Sequence, residues 1–407
     1  MIKLNKIDGG ICAAKGFKAG GVHCGIRRHT TKKDLALIVS DVKASAAAVY
    51  TQNLVKGAPI AVTKENIKDG KAMAVICNSG NANTCNANGV EIAEQMCELV
   101  EKYTGVDKKD VVIASTGVIG QPLDIKPISD GMEALVSSLG YNNSYDAASA
   151  IMTTDTVEKE IAFSFNVDGT ECKIGGIAKG SGMIHPNMAT MLVFVTSDVA
   201  IAPELLQKAL SADVQTSFNM ISIDGDTSTN DMVTVLANGL AGNKEITEEG
   251  SAFDAFKQAL NAVTVYLCRK IAGDGEGATK LLECKVSHAK TDKAAKGSAK
   301  AVICSSLVKA AMFGADANWG RVLCALGYSG EDLDVDKIDV SFKSAKSEIL
   351  VCKNGAGVDF SEETAKELLL EKEIEILVDL NDGEYAATAW GCDLTYDYVR
   401  INGDYRS

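Results

Sequence analysis

Apolar and polar residues follow two different spacings along the chain. Short apolar runs that end in polar or glycine-containing turns predict buried strands at 34–41, 71–80 and 110–117. Apolar residues at helical spacing predict helices at 88–105, 144–155, 203–218 and 251–273. Strands and helices therefore alternate through this part of the chain.

The stretch 173–198 changes character halfway along. Its first half is rich in glycine and other structure-breaking residues, whereas its second half, TMLVFVTSD, is an apolar run that predicts a strand. The change falls between Ala189 and Thr190. Since β-branched residues favour strands, the residues alone indicate that Thr190 begins a buried strand.

Shorter elements follow a predicted strand at 280–289. The pattern predicts helices at 297–313, 318–326 and 361–373, strands at 337–345 and 347–354, and two further strands near the end. The whole sequence therefore predicts an α/β (α+β) fold of layered sheets and helices.

The length of 407 residues indicates more than one domain, because single hydrophobic cores stop growing at about 250–300 residues. We predict a main domain at 1–289, a smaller α/β domain at 290–390 and a C-terminal tail at 391–407. The boundary near residue 290 follows only from the change of pattern there.

The charge balance is acidic, with 41 basic and 54 acidic residues and a formal net charge of −13. Nucleic-acid binding needs clustered cations and stacking surfaces, so this balance and an aromatic content of 5% argue against a nucleic-acid partner. The sequence contains neither a run of 18 apolar residues nor an initial run of signal-peptide length. We expect a cytoplasmic protein that does not associate with membranes.

Cysteine and histidine residues give no metal or imidazole-based site. The nearest two of the twelve cysteines, Cys77 and Cys85, are eight positions apart, so the CxxC motif is absent. The four histidines have no zinc-ligand spacing, and we expect no metal. So few histidines also disfavour a Ser-His-Asp or Cys-His mechanism, so covalent chemistry here needs another proton acceptor.

Two motifs resemble ligand-binding loops and fail in context. GDGEGATK (273–280) follows a helix and precedes a strand, which is the reverse of the order that a phosphate-binding loop requires. DGDTSTND (224–231) begins like a calcium loop but lacks the glycine at position 6 and the acid at position 12. Both are interpreted as ordered turns.

Several ordered blocks together resemble the ornithine acetyltransferases, or glutamate N-acetyltransferases, of arginine biosynthesis. The blocks are AAKGFKAGGV, IASTGVIGQ, IMTTDT, KGSGMIHPNMATMLVFVTSD, FNMISIDGDTSTND, AGDGEGATK, ANWGRVLCALG and the terminal INGDYRS. Their order and spacing extend the likeness from near the N-terminus to the last residue. The resemblance implies a layered αββα-type sandwich similar to the DmpA/ArgJ-like fold, with a smaller C-terminal α/β domain.

The family is similar to N-terminal-nucleophile enzymes, which cut their own precursor just before a threonine. The resemblance places the cut between Ala189 and Thr190. It would leave an α chain of residues 1–189 and a β chain of residues 190–407. The resemblance further implies that these α and β chains stay together and assemble as a heterotetramer of two of each.

A cut before Thr190 supplies the missing proton acceptor. A threonine hydroxyl is a weak nucleophile until a base removes its proton. A free lysine, with a pKa of about 10.4, is neutral in only about one molecule in 2,500 at pH 7, whereas an α-amine with a pKa of about 7.7 is neutral in about one in six. The new amine of Thr190 would therefore act as the base for its own hydroxyl.

The resemblance assigns Thr116 and Gly117 to the oxyanion hole, which acyl transfer needs for the developing negative charge. From the residues alone this pair is a turn at the end of a strand. The same resemblance makes Thr153 a substrate contact, with the adjacent Thr154 as the alternative.

Further substrate contacts are implied at charged and tail positions. Lys179 would meet a substrate carboxylate, although most lysines are simply solvated, and Glu276 would meet a substrate amino group. Asn402 and Ser407 would complete the site. Because C-terminal tails ordinarily fray, the resemblance predicts an unusual, fixed tail.

The implied reaction moves the acetyl group of N2-acetyl-L-ornithine to L-glutamate through an acetyl-Thr190 ester in a ping-pong cycle. We expect no cofactor, and the sequence leaves open whether acetyl-CoA is also a donor. Two alternatives remain: a self-cleaving amidohydrolase or aminopeptidase-like enzyme, and a non-enzymatic α/β binding protein in which Thr190 is only structural.

Overall fold

A computed structural model describes residues 2–27, 30–185 and 191–403. The chain forms two compact units. The first comprises Met1–Gly180, Asn187–Phe218 and Thr227–Leu267, and the second comprises Ser181–Pro186, Asn219–Asp226 and Cys268–Ser407. The domain boundary near residue 290 that the sequence indicates remains a prediction.

The described residues form both strands and helices, and the two types alternate in only part of the chain. The strands are β1 (Asn5–Ile7), β2 (Phe17–Val22), β3 (Leu35–Tyr50), β4 (Lys71–Asn78), β5 (Val111–Ser115), β6 (Lys159–Val167), β7 (Thr170–Lys179), β8 (Leu192–Ser197), β9 (Ile221–Ser222), β10 (Met232–Ala237), β11 (Leu281–Ala289), β12 (Asp339–Lys343), β13 (Glu348–Lys353), β14 (Ala356–Gly357), β15 (Glu373–Asp379) and β16 (Tyr385–Cys392). The helices are α1 (Ala58–Asn66), α2 (Gly89–Thr104), α3 (Ile125–Ser137), α4 (Ser144–Ile151), α5 (Pro203–Asp213), α6 (Ser251–Gly273), α7 (Asp292–Cys304), α8 (Ser306–Phe313), α9 (Trp319–Gly327), α10 (Glu362–Leu369) and α11 (Tyr396–Gly403). The predicted α/β (α+β) class is confirmed.

The first unit is built on a mixed sheet in the order β1-β6-β7-β8-β10-β3-β4-β5, with β2 paired to β3. The pairs β4–β5 and β8–β10 are parallel. Successive side chains of a strand point to opposite faces, so Leu35 and Leu37 of β3 join one core with α2 and α3, and Ala36 and Ile38 join another with α4. The sheet is therefore buried on both faces, which explains its continuous apolar runs.

The glycine-rich first half of 173–198 contains a strand, β7, that the pattern does not predict. A side chain at Gly175 would overlap the carbonyl oxygen of Gly10, and one at Gly176 would crowd Val263 and Leu267. These glycines therefore allow close packing inside a sheet, whereas the sequence pattern treats them as breakers. The strand predicted after Thr190 is confirmed as β8.

The second unit contains a sheet in the order β14-β13-β12-β15-β11-β16-β9, with α7 packed on β11 and β16. The single helix predicted at 297–313 is wrong, because the structure has two helices that meet at Ser305. The Ser305 hydroxyl accepts a hydrogen bond from the backbone N–H of Val308 at 3.3 Å and so begins α8 as an N-cap.

The predicted tail at 391–407 contains a helix, α11, which the sequence pattern does not predict. Gly277 packs closely under this helix, since a side chain at Gly277 would lie 2.8 Å from the backbone nitrogen of Tyr398. None of the helices in the described parts of the chain is long and apolar enough to cross a membrane.

Candidate active site

Thr116 and Gly117 follow β5 at the edge where the parallel strands β4 and β5 end. The backbone N–H of Thr116 donates to the carbonyl oxygen of Asn78, the last residue of β4, at 2.9 Å. Gly117 has a φ of +130°, and a side chain there would lie 2.8 Å from the backbone atoms of Gly80 and Asn81. The turn therefore requires glycine at this position and holds both residues at the carboxyl end of the sheet.

Lys179 ends β7 and contacts Thr116. Its Nζ donates to the Thr116 hydroxyl oxygen at 3.3 Å, and the residue is buried, with 8% of its surface exposed. Burial lowers the pKa of Lys179 below the usual lysine value, against the opposing charges of Asp155 and Asp231. The structure thus brings together two residues to which the resemblance gives different roles, oxyanion binding for Thr116 and binding of a substrate carboxylate for Lys179.

Asp155 binds the backbone next to Lys179, and it is a residue that was not predicted from the sequence. Its carboxylate accepts hydrogen bonds from Lys159 Nζ at 2.7 Å, from the Gly180 N–H at 2.7 Å and from the Thr153 N–H at 3.0 Å. Burial acts to raise the pKa of Asp155, but the charges of Lys159 and Lys179 and these hydrogen bonds lower the pKa to about 2. Asp155 is therefore a fixed anion that links the predicted substrate contact Thr153 to the end of β7.

The loop that carries Thr153 is tied to the neighbouring strand end by Arg27. The guanidinium group donates to the carbonyl oxygen of Ser79 at 2.9 Å, to the Ser79 hydroxyl at 2.7 Å and to the carbonyl oxygen of Met152. Thr153 is thus held on both sides, by Met152 before it and by Asp155 after it. Thr154, the alternative substrate contact, is half-buried beside it.

Asn230 supports the strand end beneath Thr116 and is a second residue that the sequence analysis missed. Its amide nitrogen donates to the carbonyl oxygens of Ala82 at 2.5 Å and Ser115 at 2.9 Å, and its amide oxygen accepts from the Thr84 hydroxyl at 2.6 Å. The residue is buried. A buried amide with these partners fixes the loop geometry beside the predicted oxyanion hole.

Glu276 and Asn402 form a second group, in the second unit. Asn402 Nδ2 donates to Glu276 Oε2 at 2.7 Å, and Glu276 is buried. Glu276 lies in the loop between α6 and β11, which agrees with the helix-then-strand order of GDGEGATK. The structure therefore brings these two predicted residues into contact. The C-terminal tail is described as far as Gly403.

Three predicted residues, Ala189, Thr190 and Ser407, lie outside the described residues. Within the described ranges, no group of three or more His, Cys, Asp and Glu side chains is arranged to hold a metal ion. The described geometry therefore offers a buried cation beside a threonine hydroxyl at the strand ends of one unit, and a carboxylate–amide pair in the other.

Comparisons with known proteins identify the class. The model of the ArgJ family matches residues 18–407. The chain is 53% identical to "Arginine biosynthesis bifunctional protein ArgJ" of Caldanaerobacter subterraneus, with 98% of this chain and 99% of that protein covered. It is 50% identical to "Arginine biosynthesis bifunctional protein ArgJ 1" of Clostridium acetobutylicum, with 96% of each covered.

A solved structure agrees with this match. The crystal structure of "Arginine biosynthesis bifunctional protein argJ" from Bacillus halodurans is 47% identical, with a TM-score of 0.50, and the match covers 52% of this chain and 97% of that chain. The fold and these relatives define an α/β acyltransferase, which is the enzyme class that the sequence predicted. The chain belongs to the ArgJ family.

Proposed function

We propose that this protein transfers the acetyl group of N2-acetyl-L-ornithine to L-glutamate in arginine biosynthesis. The observation that carries the proposal is the family match over residues 18–407, with relatives named as bifunctional proteins of arginine biosynthesis. The contact between Lys179 and Thr116 supports it, because it sets a cation and a hydroxyl donor at one strand edge. Such a biosynthetic role is compatible with the cytoplasmic location that the sequence predicts.

Thr190 is the proposed nucleophile, and its amine is the proposed base. In the self-cleavage, the Thr190 hydroxyl adds to the Ala189 carbonyl carbon and the amide C–N bond breaks, which leaves an ester and a free amine. Water then hydrolyses the ester, so that Ala189 gains a carboxylate and Thr190 regains its hydroxyl. The amine can afterwards take the hydroxyl proton when the next acyl group arrives.

The length of the solved relative supports a cut at this place. The match spans 52% of this chain and 97% of the solved chain, so the solved chain is only slightly more than half as long as this one. The fragment that would run from Thr190 to Ser407 is also slightly more than half of the sequence. The solved chain thus has the length expected of one cleavage product.

The sheet of the first unit explains how the fragments would stay together. Strands β8 and β10 belong to the proposed C-terminal fragment, and they lie between β7 and β3 of the N-terminal fragment. Separation would break the β7–β8 and β10–β3 ladders and expose a buried sheet. We therefore propose a stable pair of α and β chains, and two such pairs in the assembled enzyme.

Thr116 and Gly117 are the proposed oxyanion donors. The Thr116 oxygen accepts a hydrogen bond from Lys179, so its own proton is available for a substrate oxygen. The cation beside it polarises the hydroxyl and strengthens that donation. The acetyl-Thr190 ester would form as ornithine leaves and break as glutamate enters, with the Lys179 charge and the Thr116 hydroxyl beside the reacting carbonyl in both steps.

Charged groups provide the proposed substrate recognition. Lys179 would bind the α-carboxylate that acetylornithine and glutamate share, and Thr153 would be a further substrate contact. Glu276, held by Asn402, would bind a substrate amino group, and Ser407 would complete this side. The name "bifunctional" of the relatives supports a second activity, for which we propose acetyl-CoA as an additional acetyl donor to glutamate.

The test is a transfer assay with isotopically labelled acetylornithine, with and without glutamate, on the wild-type chain and on Thr190→Ala. We expect labelled N-acetylglutamate from the wild-type protein and, when glutamate is omitted, a mass increase of one acetyl group on its C-terminal fragment. The variant should give neither. Release of free acetate without transfer would instead indicate a hydrolase. Replacing acetylornithine by acetyl-CoA in the same assay tests the second donor.

A further inference from the structure

Residues 181–185, which precede the proposed cut by a few positions, belong to the second unit, although the residues before them, up to Gly180, belong to the first. Ser181 is fully buried in the second unit. Its hydroxyl donates to the carbonyl oxygen of Asp274 at 2.7 Å, and its own carbonyl accepts from the Glu276 N–H at 2.8 Å. One end of the segment 181–185 is therefore fixed to the loop that carries Glu276.

Asp224 fixes the other end of this segment. Its two carboxylate oxygens accept the backbone N–H groups of Met183 at 2.6 Å and Ile184 at 2.9 Å. The Ile184 carbonyl accepts from the Ile223 N–H at 2.7 Å. His185 Nδ1 lies 3.1 Å from the Ser222 hydroxyl oxygen. Residues 183–185 thus run alongside 222–224 and are bonded to them at every position.

Met183 has a strained backbone that the carboxylate of Asp224 accounts for. Its φ is +58°, in the left-handed region that non-glycine residues rarely adopt. The residue is 42% exposed, so burial of its side chain does not explain the conformation. A left-handed residue turns two successive N–H groups towards one point, which is the arrangement that binds an anion. Here the anion is the Asp224 carboxylate.

Two further groups donate hydrogen bonds to Asp224. The Tyr398 hydroxyl of α11 donates to it at 3.2 Å, and the Asp226 N–H donates at 3.2 Å. Burial and the charge of Asp224 raise the pKa of Tyr398 above its usual value, so this hydroxyl keeps its proton and stays a donor. Asp224 belongs to DGDTSTND, the turn that begins like a calcium loop and to which the sequence assigned no function.

We propose that Asp224 is the positioning residue for the self-cleavage, by holding the backbone of Met183 and Ile184 on the second unit. This inference rests on the proposed cut at Ala189–Thr190. Attack by Thr190 on the Ala189 carbonyl is intramolecular, and its rate depends on how closely the reacting groups are held. Beyond the junction, the Met191 carbonyl accepts the Met232 N–H at 2.9 Å within the first unit.

The first test measures how fast freshly synthesised full-length chain disappears on a denaturing gel. Asp224→Asn keeps the size of the side chain but removes one of the two oxygens, and we expect cleavage to slow by about tenfold or more. Asp226→Asn is the matched control in the same turn, because it retains the backbone N–H that contacts Asp224, and it should cleave within about twofold of the wild-type rate. Wild-type cleavage by Asp224→Asn overturns the inference.

A second measurement separates positioning from general damage. Amide hydrogen exchange is measured on two proteins, the Thr190→Ala variant and the double variant Thr190→Ala with Asp224→Asn. Under the proposed function both stay full length. We expect faster exchange at Met183 and Ile184 with the remainder of the second unit unchanged. Loss of protection throughout the second unit would make the slow cleavage a folding effect and overturn the inference. A wild-type chain that never cleaves contradicts the proposed function instead.

Discussion

Asp155 and Lys159 form an ion pair in which Lys159 Nζ lies 2.7 Å from an Asp155 carboxylate oxygen, and both side chains are fully buried. Neither group can exchange its partner for water. The same carboxylate also accepts the N–H groups of Thr153 and Gly180. The pair therefore fixes two stretches of backbone beside the proposed site, one that precedes β6 and one that follows β7.

Replacing Asp155 by Asn should destabilise the protein by about 3–5 kcal/mol, because the substitution leaves the Lys159 cation buried without a counter-charge. Urea unfolding followed by intrinsic fluorescence measures this loss. Asp130→Asn is the control, since its pair with Lys126 is exposed and should add almost nothing to stability. Equal effects of the two substitutions would contradict the role given to the buried pair.

The lowered pKa of Asp155 predicts a dependence of stability on acid. The folded-state pKa of about 2 lies below the ordinary value of 3.8, so the folded chain binds this proton less readily than the unfolded chain. The stabilisation is complete above about pH 4 and is lost as the pH falls towards 2. Thermal midpoints of the wild-type protein and of Asp155→Asn, measured from pH 6 to pH 2, should therefore converge at the acid end. A constant difference across this range would contradict the shifted pKa.

Periodicity predicted the elements whose burial follows one simple spacing. The helix 251–273 was confirmed with the same limits as α6, and the strands at 71–80, 110–117 and 280–289 were confirmed to within two residues at each end. Elements that depend on particular contacts were missed. Strand β7 contains glycines because Gly10 and α6 approach it, and the break at Ser305 depends on a serine cap rather than on any change in hydrophobicity.

The candidate site was predictable only through its motifs. The resemblance named Thr116 and Lys179, which the structure brings together although they are 63 positions apart. Asp155 and Asn230 lie within two other blocks of the resemblance, IMTTDT and FNMISIDGDTSTND, but their importance comes from partners at distant positions, such as Gly180 and Ala82. No local pattern encodes such pairings, so the supporting residues became apparent only in the folded chain.

Gly117→Ala should reduce kcat/KM for acetyl transfer by about 10²–10³-fold, the effect typical of losing one oxyanion donor. The added methyl group would collide with the backbone of Gly80 and Asn81 and displace the turn. Gly120→Ala is the control, because Gly120 also has a positive φ but has open space around its Cβ position. Steady-state kinetics of both variants checks this, and an equal loss in both would assign the effect to backbone strain instead.

Glu276→Gln should raise the KM for acetylornithine by about tenfold or more, because the amide removes the charge that would meet the substrate amino group. Asn402 would still have an oxygen to donate to, so the tail should stay in place. Val399→Ala, on the exposed part of α11, is the control and should leave KM unchanged. An unchanged KM in Glu276→Gln would remove Glu276 from the substrate contacts.

The proposed chemistry requires Thr190 to become a chain terminus whose amine activates its own hydroxyl. Intact-mass analysis of the purified, denatured protein, combined with a transfer assay on the same sample, tests this most directly. We expect two polypeptides, one ending at Ala189 and the other running from Thr190 to Ser407, together with transfer of acetyl to glutamate. A single uncut chain that still transfers acetyl would contradict it.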